Sequence, residues 1–190
     1  NGQAQRALLR AALADAGVGA AAVTRVEAHG TGTALGDPTE AGALAAVHGV
    51  RVGSGAREVA LGTVKASVGH AEAVSGVFGV LKAAVGMAQA EWSGNAQVRL
   101  LSPLVGARLR AGVEAGHLLP TSALAVAKGA KAGVSSFGYS GTIAHAVLAF
   151  GSGEALAVGR DLDASEALAF FDSRGAEAAG GGVVETRSLS

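Results

Sequence analysis

The chain has 190 residues, enough for one ordinary domain or for one structural half of a larger one. Charged residues make up 16% of it and the formal net charge is zero, which excludes intrinsic disorder and gives no electrostatic reason to expect nucleic acid or an anionic membrane as a partner. The chain has no cysteine, which excludes disulfides, thiolate metal sites and a cysteine nucleophile within it.

Residues 1–28 are predicted to form a helix and a short strand. Apolar side chains recur at helical spacing over residues 4–16, and Gly17 is expected to end that helix. Residues 24–28 are a strand candidate that leads into a glycine-rich turn beginning at His29.

A second helix is predicted to begin at Asp37 and to end near Val47. Asp37 is expected to be its N-cap, Pro38 stands where no N–H donor is needed, and Glu40 can reach back to the cap. The next apolar run, over residues 59–64, contains β-branched side chains and is predicted to be a buried strand.

The following segments are predicted to be a long helix, an irregular region and two strands. Residues 71–90 are rich in alanine and glycine and predict a buried helix that another backbone can approach closely. Residues 91–130 show little periodicity and are predicted to form a loop region with short pieces of structure. Two strands are predicted at 132–137 and 143–148.

Alternating helices and strands place residues 1–150 in the α/β class. Residues 151–190 are predicted to be a linker or disordered tail, because their composition loosens and includes a run of glycines. The N-terminus lacks a basic region that leads into an apolar one, and no stretch is apolar enough to span a membrane, so a cytoplasmic protein is expected. The absence of an initiator methionine predicts a fragment.

A histidine stands between a predicted strand and a predicted helix twice, at His29 and at His70, each time in a glycine-containing turn. Ligands of α/β folds bind at the carboxyl ends of strands, so the repeated pattern favours a site over two histidines that only bind turn carbonyls. Lys65 precedes the second histidine by five residues. No two histidines have the i, i+4 spacing of a helical metal site, so no metal is expected.

Three blocks of sequence carry a family resemblance. Residues 27–40 read EAHGTGTALGDPTE, residues 61–70 read LGTVKASVGH, and residues 133–145 read GVSSFGYSGTIAH. In order and spacing these blocks resemble those of the β-ketoacyl synthases, most of all those of modular polyketide synthases, and the resemblance covers roughly residues 1–149. It implies the C-terminal half only of a thiolase-like α/β fold, a mixed sheet with packed helices.

The resemblance also implies a reaction, the decarboxylative Claisen condensation of polyketide or fatty acid synthesis. His29 and His70 would donate hydrogen bonds to the thioester oxygen of the enolate that forms when malonyl loses CO2, and Lys65 would hold the surrounding hydrogen-bond network. Thr31 and Thr33 match hydroxyls that contact a pantetheine arm. Tyr139 matches an oxyanion-hole donor through its backbone N–H and a gating aromatic through its ring.

The implied partners are an N-terminal ketosynthase half that bears the cysteine and an acyl carrier protein, and the complete enzyme is expected to be a homodimer. No cofactor is expected to bind directly, since the phosphopantetheine of the carrier protein is the arm of the substrate. Ile143 stands where the family often has Asn, which predicts a weaker turn. Two alternatives stay open: a non-catalytic subunit that binds carrier protein or sets chain length, and an inactive truncated product.

Overall fold

The computed structural model describes residues 1–49, 59–110, 119–149 and 184–189. Helices in these ranges are α1 (Gly2–Asp15), α2 (Gly36–His48), α3 (Lys65–Val68), α4 (Ser75–Ala88) and α5 (Pro103–Arg110), with 3₁₀ turns at Ala20–Ala22 and Glu72–Val74. The strands are β1 (Val23–Glu27), β2 (Ala60–Gly62), β3 (Glu91–Trp92), β4 (Leu124–Ala125), β5 (Lys131–Phe137), β6 (Ile143–Ala149) and β7 (Val184–Leu189).

The main sheet is mixed, with the strand order β2-β1-β5-β6-β7. Strand β1 runs parallel to both of its neighbours, β2 and β5. The remaining pairs, β5 with β6 and β6 with β7, are antiparallel. The predicted α/β class with a mixed sheet is therefore confirmed, and β3 and β4 form a separate antiparallel pair.

Helices cover both faces of this sheet. Helices α1 and α2 build the core of one face together with strand residues, including Leu9, Leu13, Val23, Val26, Leu44, Leu61 and Val147. Helix α4 builds the core of the other face, which includes Ala83, Met87, Trp92, Val134 and Leu148. Neighbouring residues of a strand face opposite sides of a sheet, so Val147 and Leu148 belong to different cores.

The predicted first helix and its end are confirmed. Leu8, Leu9, Ala12 and Leu13 are buried on one face of α1. Gly17 has φ of 60°, and its N–H donates to Ala14 O at 3.0 Å. The N–H of Val18 donates to Leu13 O at 2.9 Å, which completes the glycine-ended cap that satisfies the last carbonyls of a helix.

The predicted N-cap of the second helix is wrong. Helix α2 begins at Gly36 and its cap residue is Leu35, so Asp37 already lies inside the first turn. The carboxylate of Asp37 accepts from the backbone N–H of Gly32 at 3.1 and 3.2 Å. The carboxylates of Asp37 and Glu40, which the sequence suggested as helix caps, therefore accept hydrogen bonds from the preceding loop. The N–H groups that they bind have no strand or helix partner.

Two later predictions also differ from the structure. The helix predicted over 71–90 begins only at Ser75, after a 3₁₀ turn. The prediction of a loop region with short pieces of structure over 91–130 is confirmed in the described part of that region, where the pieces are β3, α5 and β4. The predicted linker or tail at 151–190 lies outside the described residues except for 184–189, which form a strand paired with β6.

The ring of Trp92 packs closely against α4. A Cβ placed at Gly86 of α4 would lie 2.6 Å from Cε3 of the Trp92 ring, so only glycine permits this approach. The guanidinium carbon of Arg25 lies 5.4 Å from the centre of the ring, at cation–π distance.

Gly86→Ala is therefore expected to lower the free energy of unfolding by about 1–3 kcal/mol, because the added methyl must displace the indole. Gly42→Ala in α2 is the matched control, since the nearest atom to a Cβ there would be Cδ of Arg108 at 3.5 Å, an ordinary contact. Urea denaturation should show that Gly42→Ala is as stable as the unsubstituted protein or more so, given the higher helix propensity of alanine. Equal stability of the two variants would contradict the expectation.

Candidate active site

The structure brings His29 and His70 together. His29 lies two residues beyond the end of β1, and His70 follows α3, the helix after β2. Because β1 and β2 are parallel neighbours, their carboxyl ends meet at one edge of the sheet. The two imidazole rings lie edge to face with centroids 5.7 Å apart and an interplanar angle of 86°.

The backbone of the β5–β6 hairpin sets the tautomer of His29. The N–H of Phe137 donates to Nδ1 of His29 at 3.3 Å, and the Phe137 ring lies 5.4 Å from the imidazole. A nitrogen that accepts from an N–H carries no proton, so the proton of the neutral ring is on Nε2. Burial, together with the charges of Lys65 and His70, lowers the pKa of His29 to about 4, which keeps the ring neutral at pH 7.

His70 is held in the same tautomer by its own local chain. The backbone N–H of Glu72 donates to Nδ1 of His70 at 3.1 Å, and Oγ of Ser75 lies 2.8 Å from the same nitrogen. Nε2 of His70 therefore carries the proton. The side chain of His70 is exposed, so this N–H is accessible to an incoming group.

Glu40 fixes the loop that carries His29. Its two oxygens accept from the backbone N–H groups of His29 at 2.8 Å and Gly30 at 2.9 Å, and the residue is 5% exposed. Sequence reasoning assigned Glu40 to a helix cap, and its contact with the histidine loop was missed.

Glu40→Gln is expected to remove a pH dependence of stability. Burial, with a smaller contribution from Asp37, raises the pKa of Glu40 to about 7 from an ordinary value of 4.5. A raised pKa means that the folded state holds the proton more tightly, so this stabilisation is complete below pH 4.5 and is lost as the pH rises through 7. At about 1.4 kcal/mol per pKa unit, the contribution of Glu40 to the free energy of unfolding is therefore roughly 3 kcal/mol larger below pH 4.5 than above pH 7.

Denaturant unfolding between pH 4 and 8 measures this effect. The readout is the difference in free energy of unfolding between the unsubstituted protein and the Gln variant at each pH. Glu91→Gln is the control, because Glu91 is exposed. Parallel pH profiles for Glu40→Gln and the unsubstituted protein would contradict the expectation.

Lys65 places a positive charge near His29. It is the first residue of α3 and is half-buried. Burial lowers the pKa of Lys65, and the carboxylates of Glu40 and Glu27 oppose that shift. The Lys65 charge in turn contributes to the low pKa of His29, so the ammonium lies within electrostatic reach of the imidazole.

The other residues singled out from sequence lie in the loop that carries His29 and in the hairpin turn that follows Phe137. Thr31 is half-buried and Thr33 is exposed, both in the His29 loop, and Oγ1 of Thr33 accepts from the N–H of Gly36 at 3.1 Å. Tyr139 is fully exposed, and the aromatic ring that contacts His29 is that of Phe137. Sequence reasoning missed Phe137 because its partner lies 108 residues away.

The hairpin turn beside the site closes with backbone hydrogen bonds. The N–H of Gly138 donates to Thr142 O at 2.7 Å, and that of Gly141 donates to Gly138 O at 3.2 Å. Ile143 begins β6 opposite Phe137. The turn therefore closes although Ile143 offers no polar side chain.

An exposed apolar face runs along α4 and the turn before it. Five side chains at helical spacing are between 37% and 48% exposed: Val74, Val77, Phe78, Leu81 and Val85. A contiguous apolar surface of this kind is typical of an interface.

Two kinds of feature are absent from the described ranges. None of the helices there combines the length and the apolar character that a membrane span requires. Histidine, aspartate and glutamate side chains in the same ranges form no cluster of three or more that could hold a metal ion.

Comparison with known proteins gives consistent matches. A family model described as β-ketoacyl synthase, C-terminal domain, matches residues 1–99. The mycoketide-CoA synthase of Mycobacterium tuberculosis is 44% identical over 148 residues, covering 78% of this chain and 4% of that protein. An erythronolide synthase of Saccharopolyspora erythraea is 43% identical over 149 residues, covering 78% of this chain and 5% of that protein.

Two solved structures of ketosynthases are similar in fold. An oxazolomycin ketosynthase domain from Streptomyces albus has a TM-score of 0.68 at 29% identity. The ketosynthase from module 1 of the bacillaene synthase of Bacillus amyloliquefaciens has a TM-score of 0.68 at 25% identity. Each match covers 78% of this chain and 26% of the solved chain. The chain thus spans about a quarter of these ketosynthases and a few per cent of the curated synthases.

Proposed function

Because the chain belongs to the β-ketoacyl synthase family, as a ketosynthase C-terminal domain of polyketide synthase type with a thiolase-like fold, we propose that it supplies the decarboxylation machinery of a condensing enzyme. In this reaction the malonyl carboxylate leaves as CO2 and its bonding electrons pass into an enolate of the thioester. The enolate carbon then attacks an acyl-cysteine thioester, the new carbon–carbon bond forms, and the cysteine thiolate leaves. The cysteine must lie on another part of the protein, since this chain contains none.

The observation that carries this proposal is the matched protonation of the two histidines. His29 and His70 each accept a backbone N–H at Nδ1, so each ring presents Nε2–H as a donor. In this proposal both rings donate to one oxygen atom, for which the 5.7 Å between their centroids leaves room. Donors fixed in advance where negative charge develops are the main source of rate enhancement in such sites.

Lys65 and the threonines have supporting roles in this proposal. The Lys65 ammonium adds positive charge beside the enolate oxygen and so favours its formation. The loop hydroxyls fit the pantetheine arm of the substrate: Thr33 accepts at Oγ1 from the backbone, which leaves its O–H free to donate, and Thr31 lies beside it. The backbone N–H of Tyr139 is proposed as a donor to the acyl-cysteine oxygen.

We further propose that a cysteine-bearing N-terminal ketosynthase half covers the apolar face of α4. The matched ketosynthase chains have about three-quarters of their length outside the region that this chain covers. That face lies on the helix that begins at Ser75, beside His70, so its cover would also close the site. The acyl carrier protein as malonyl donor, the homodimer, the cytoplasmic location and the lack of a directly bound cofactor remain predictions.

The test is a condensation assay on an intact ketosynthase that contains this chain. An acyl thioester and a malonyl carrier protein should give CO2 and a β-ketoacyl product in equal amounts. Binding of the carrier protein without CO2 release by a correctly folded enzyme would contradict the proposal and would favour the non-catalytic subunit. The two Nε2–H donors argue against that alternative, because a binding subunit needs neither.

A further inference from the structure

One buried carboxylate joins three segments of the site. Glu27 is the last residue of β1 and is 1% exposed. Its Oε1 accepts from the backbone N–H of Val64, which immediately precedes α3. Its Oε2 lies 3.2 Å from Nζ of Lys82 on α4 and 3.4 Å from Nη2 of Arg25.

Each of these segments carries one group of the site. Strand β1 leads to His29 two residues after Glu27, and Val64 is followed directly by Lys65. Helix α4 begins at Ser75, whose Oγ lies 2.8 Å from Nδ1 of His70. One carboxylate therefore contacts all three segments that position His29, Lys65 and His70.

The surroundings of Glu27 pair it with two cations and leave it little room to move. Arg25 is also 1% exposed, and the side chain of Lys82 is 14% exposed, so two cations face one buried carboxylate. Breaking such a buried group of charges by removing one member leaves the others uncompensated. Gly79 permits the close approach of α4, because a Cβ there would lie 3.5 Å from Cγ of Glu27 and 3.0 Å from Cγ1 of Val134.

We propose that Glu27 is a positioning residue for decarboxylation, which acts by holding the Val64 N–H and thereby the place of Lys65 relative to His29. The effect on rate rests on the proposed function, whereas the effect on the Val64 amide does not. Misplacement of a catalytic group by about 1 Å can lower a rate about 10²-fold, so a clear kinetic effect is expected.

The test uses three substitutions of Glu27 in an intact ketosynthase that contains this chain. Glu27→Gln keeps an oxygen that can reach Val64 but loses the charge. Glu27→Asp keeps the charge, but its side chain is one methylene shorter and its oxygens lie farther from Val64. Glu27→Ala removes both the charge and the oxygen. The decarboxylation kcat per folded enzyme is expected to fall about 10–100-fold in the Asp and Ala variants and less than about 10-fold in the Gln variant. The KM for malonyl thioester and the rate of cysteine acylation should change less than about twofold.

Amide hydrogen exchange gives a readout that needs no activity. Exchange in a peptide covering residues 63–70 should become faster in the Asp and Ala variants and stay near the original rate in Glu27→Gln and in the control Glu91→Gln. Unchanged exchange in Glu27→Asp, or equal losses of decarboxylation and acylation in every variant, would overturn the proposal. If the unsubstituted enzyme released no CO2, the proposed function would fail, and exchange would still decide the role of Glu27. If Glu27→Ala does not fold, the contrast between Gln and Asp decides.

Discussion

His70→Ala is expected to lower the rate of malonyl decarboxylation by about 10²–10³-fold, while an acyl group still loads onto the cysteine at nearly the original rate. Loss of one oxyanion-hole donor has effects of this size in other acyl-transfer enzymes. The selectivity follows from the proposed role, because His70 stabilises the enolate oxygen and does not generate the thiolate. His70→Gln keeps an N–H donor near the position of Nε2. Its decarboxylation rate is expected to be about tenfold higher than that of His70→Ala.

CO2 release and acyl-enzyme formation must be measured separately for this experiment, the first with labelled malonyl thioester and the second by intact mass. Gln89→Ala is a suitable control, since Gln89 is exposed at the end of α4. Loss of acylation with unchanged decarboxylation would overturn the assigned role.

This polypeptide alone is expected to form no β-ketoacyl product. The condensation needs a nucleophile to hold the acyl group, and the absence of cysteine excludes the thiolate that would serve. The uncovered apolar face of α4 should also cause the isolated chain to aggregate, which size-exclusion chromatography would detect. His29 and His70 can still polarise a malonyl thioester, so slow CO2 release without product is compatible with the expectation.

The measurement is product formation from acyl and malonyl carrier-protein thioesters, with and without a cysteine-bearing N-terminal half. A half with alanine in place of its cysteine is the control, because it restores the interface without the nucleophile. Product from the chain alone would refute the expectation. Product that requires the intact half would also support its proposed place on α4.

The features that sequence predicted correctly depend on neighbouring residues. Gly17 ends α1 through bonds that span only a few positions. The sequence placed His29 and His70 beyond two successive strands, and the two rings lie close together because parallel strands bring their carboxyl ends to one edge of the sheet. These relations are encoded in local spacing, and a single sequence displays them.

The features that sequence missed depend on side-chain and backbone hydrogen bonds, some local and some between distant residues, that the pattern of residue types does not reveal. Asp37 had the sequence of a helix cap, but its carboxylate binds the loop at Gly32. Glu27 offered no local sign of a role, because the amide it binds at Val64 lies 37 residues away. The helix predicted from residue 71 begins later, because the backbone of Glu72 has φ of 47°, outside the right-handed helical region.

The bond from Phe137 to His29 has a consequence for the exchange of parts between related synthases. The family model ends at residue 99, yet the group that sets the proton on His29 belongs to β5, beyond that limit. A crossover placed between residues 99 and 131 would join the histidines of one parent to the hairpin of another. His29 would then keep the Phe137 N–H as its donor only if the hybrid preserved the register of β1 with β5 over Val23 to Glu27. Grafting boundaries are better drawn after β6, so that histidines and hairpin are inherited as one unit.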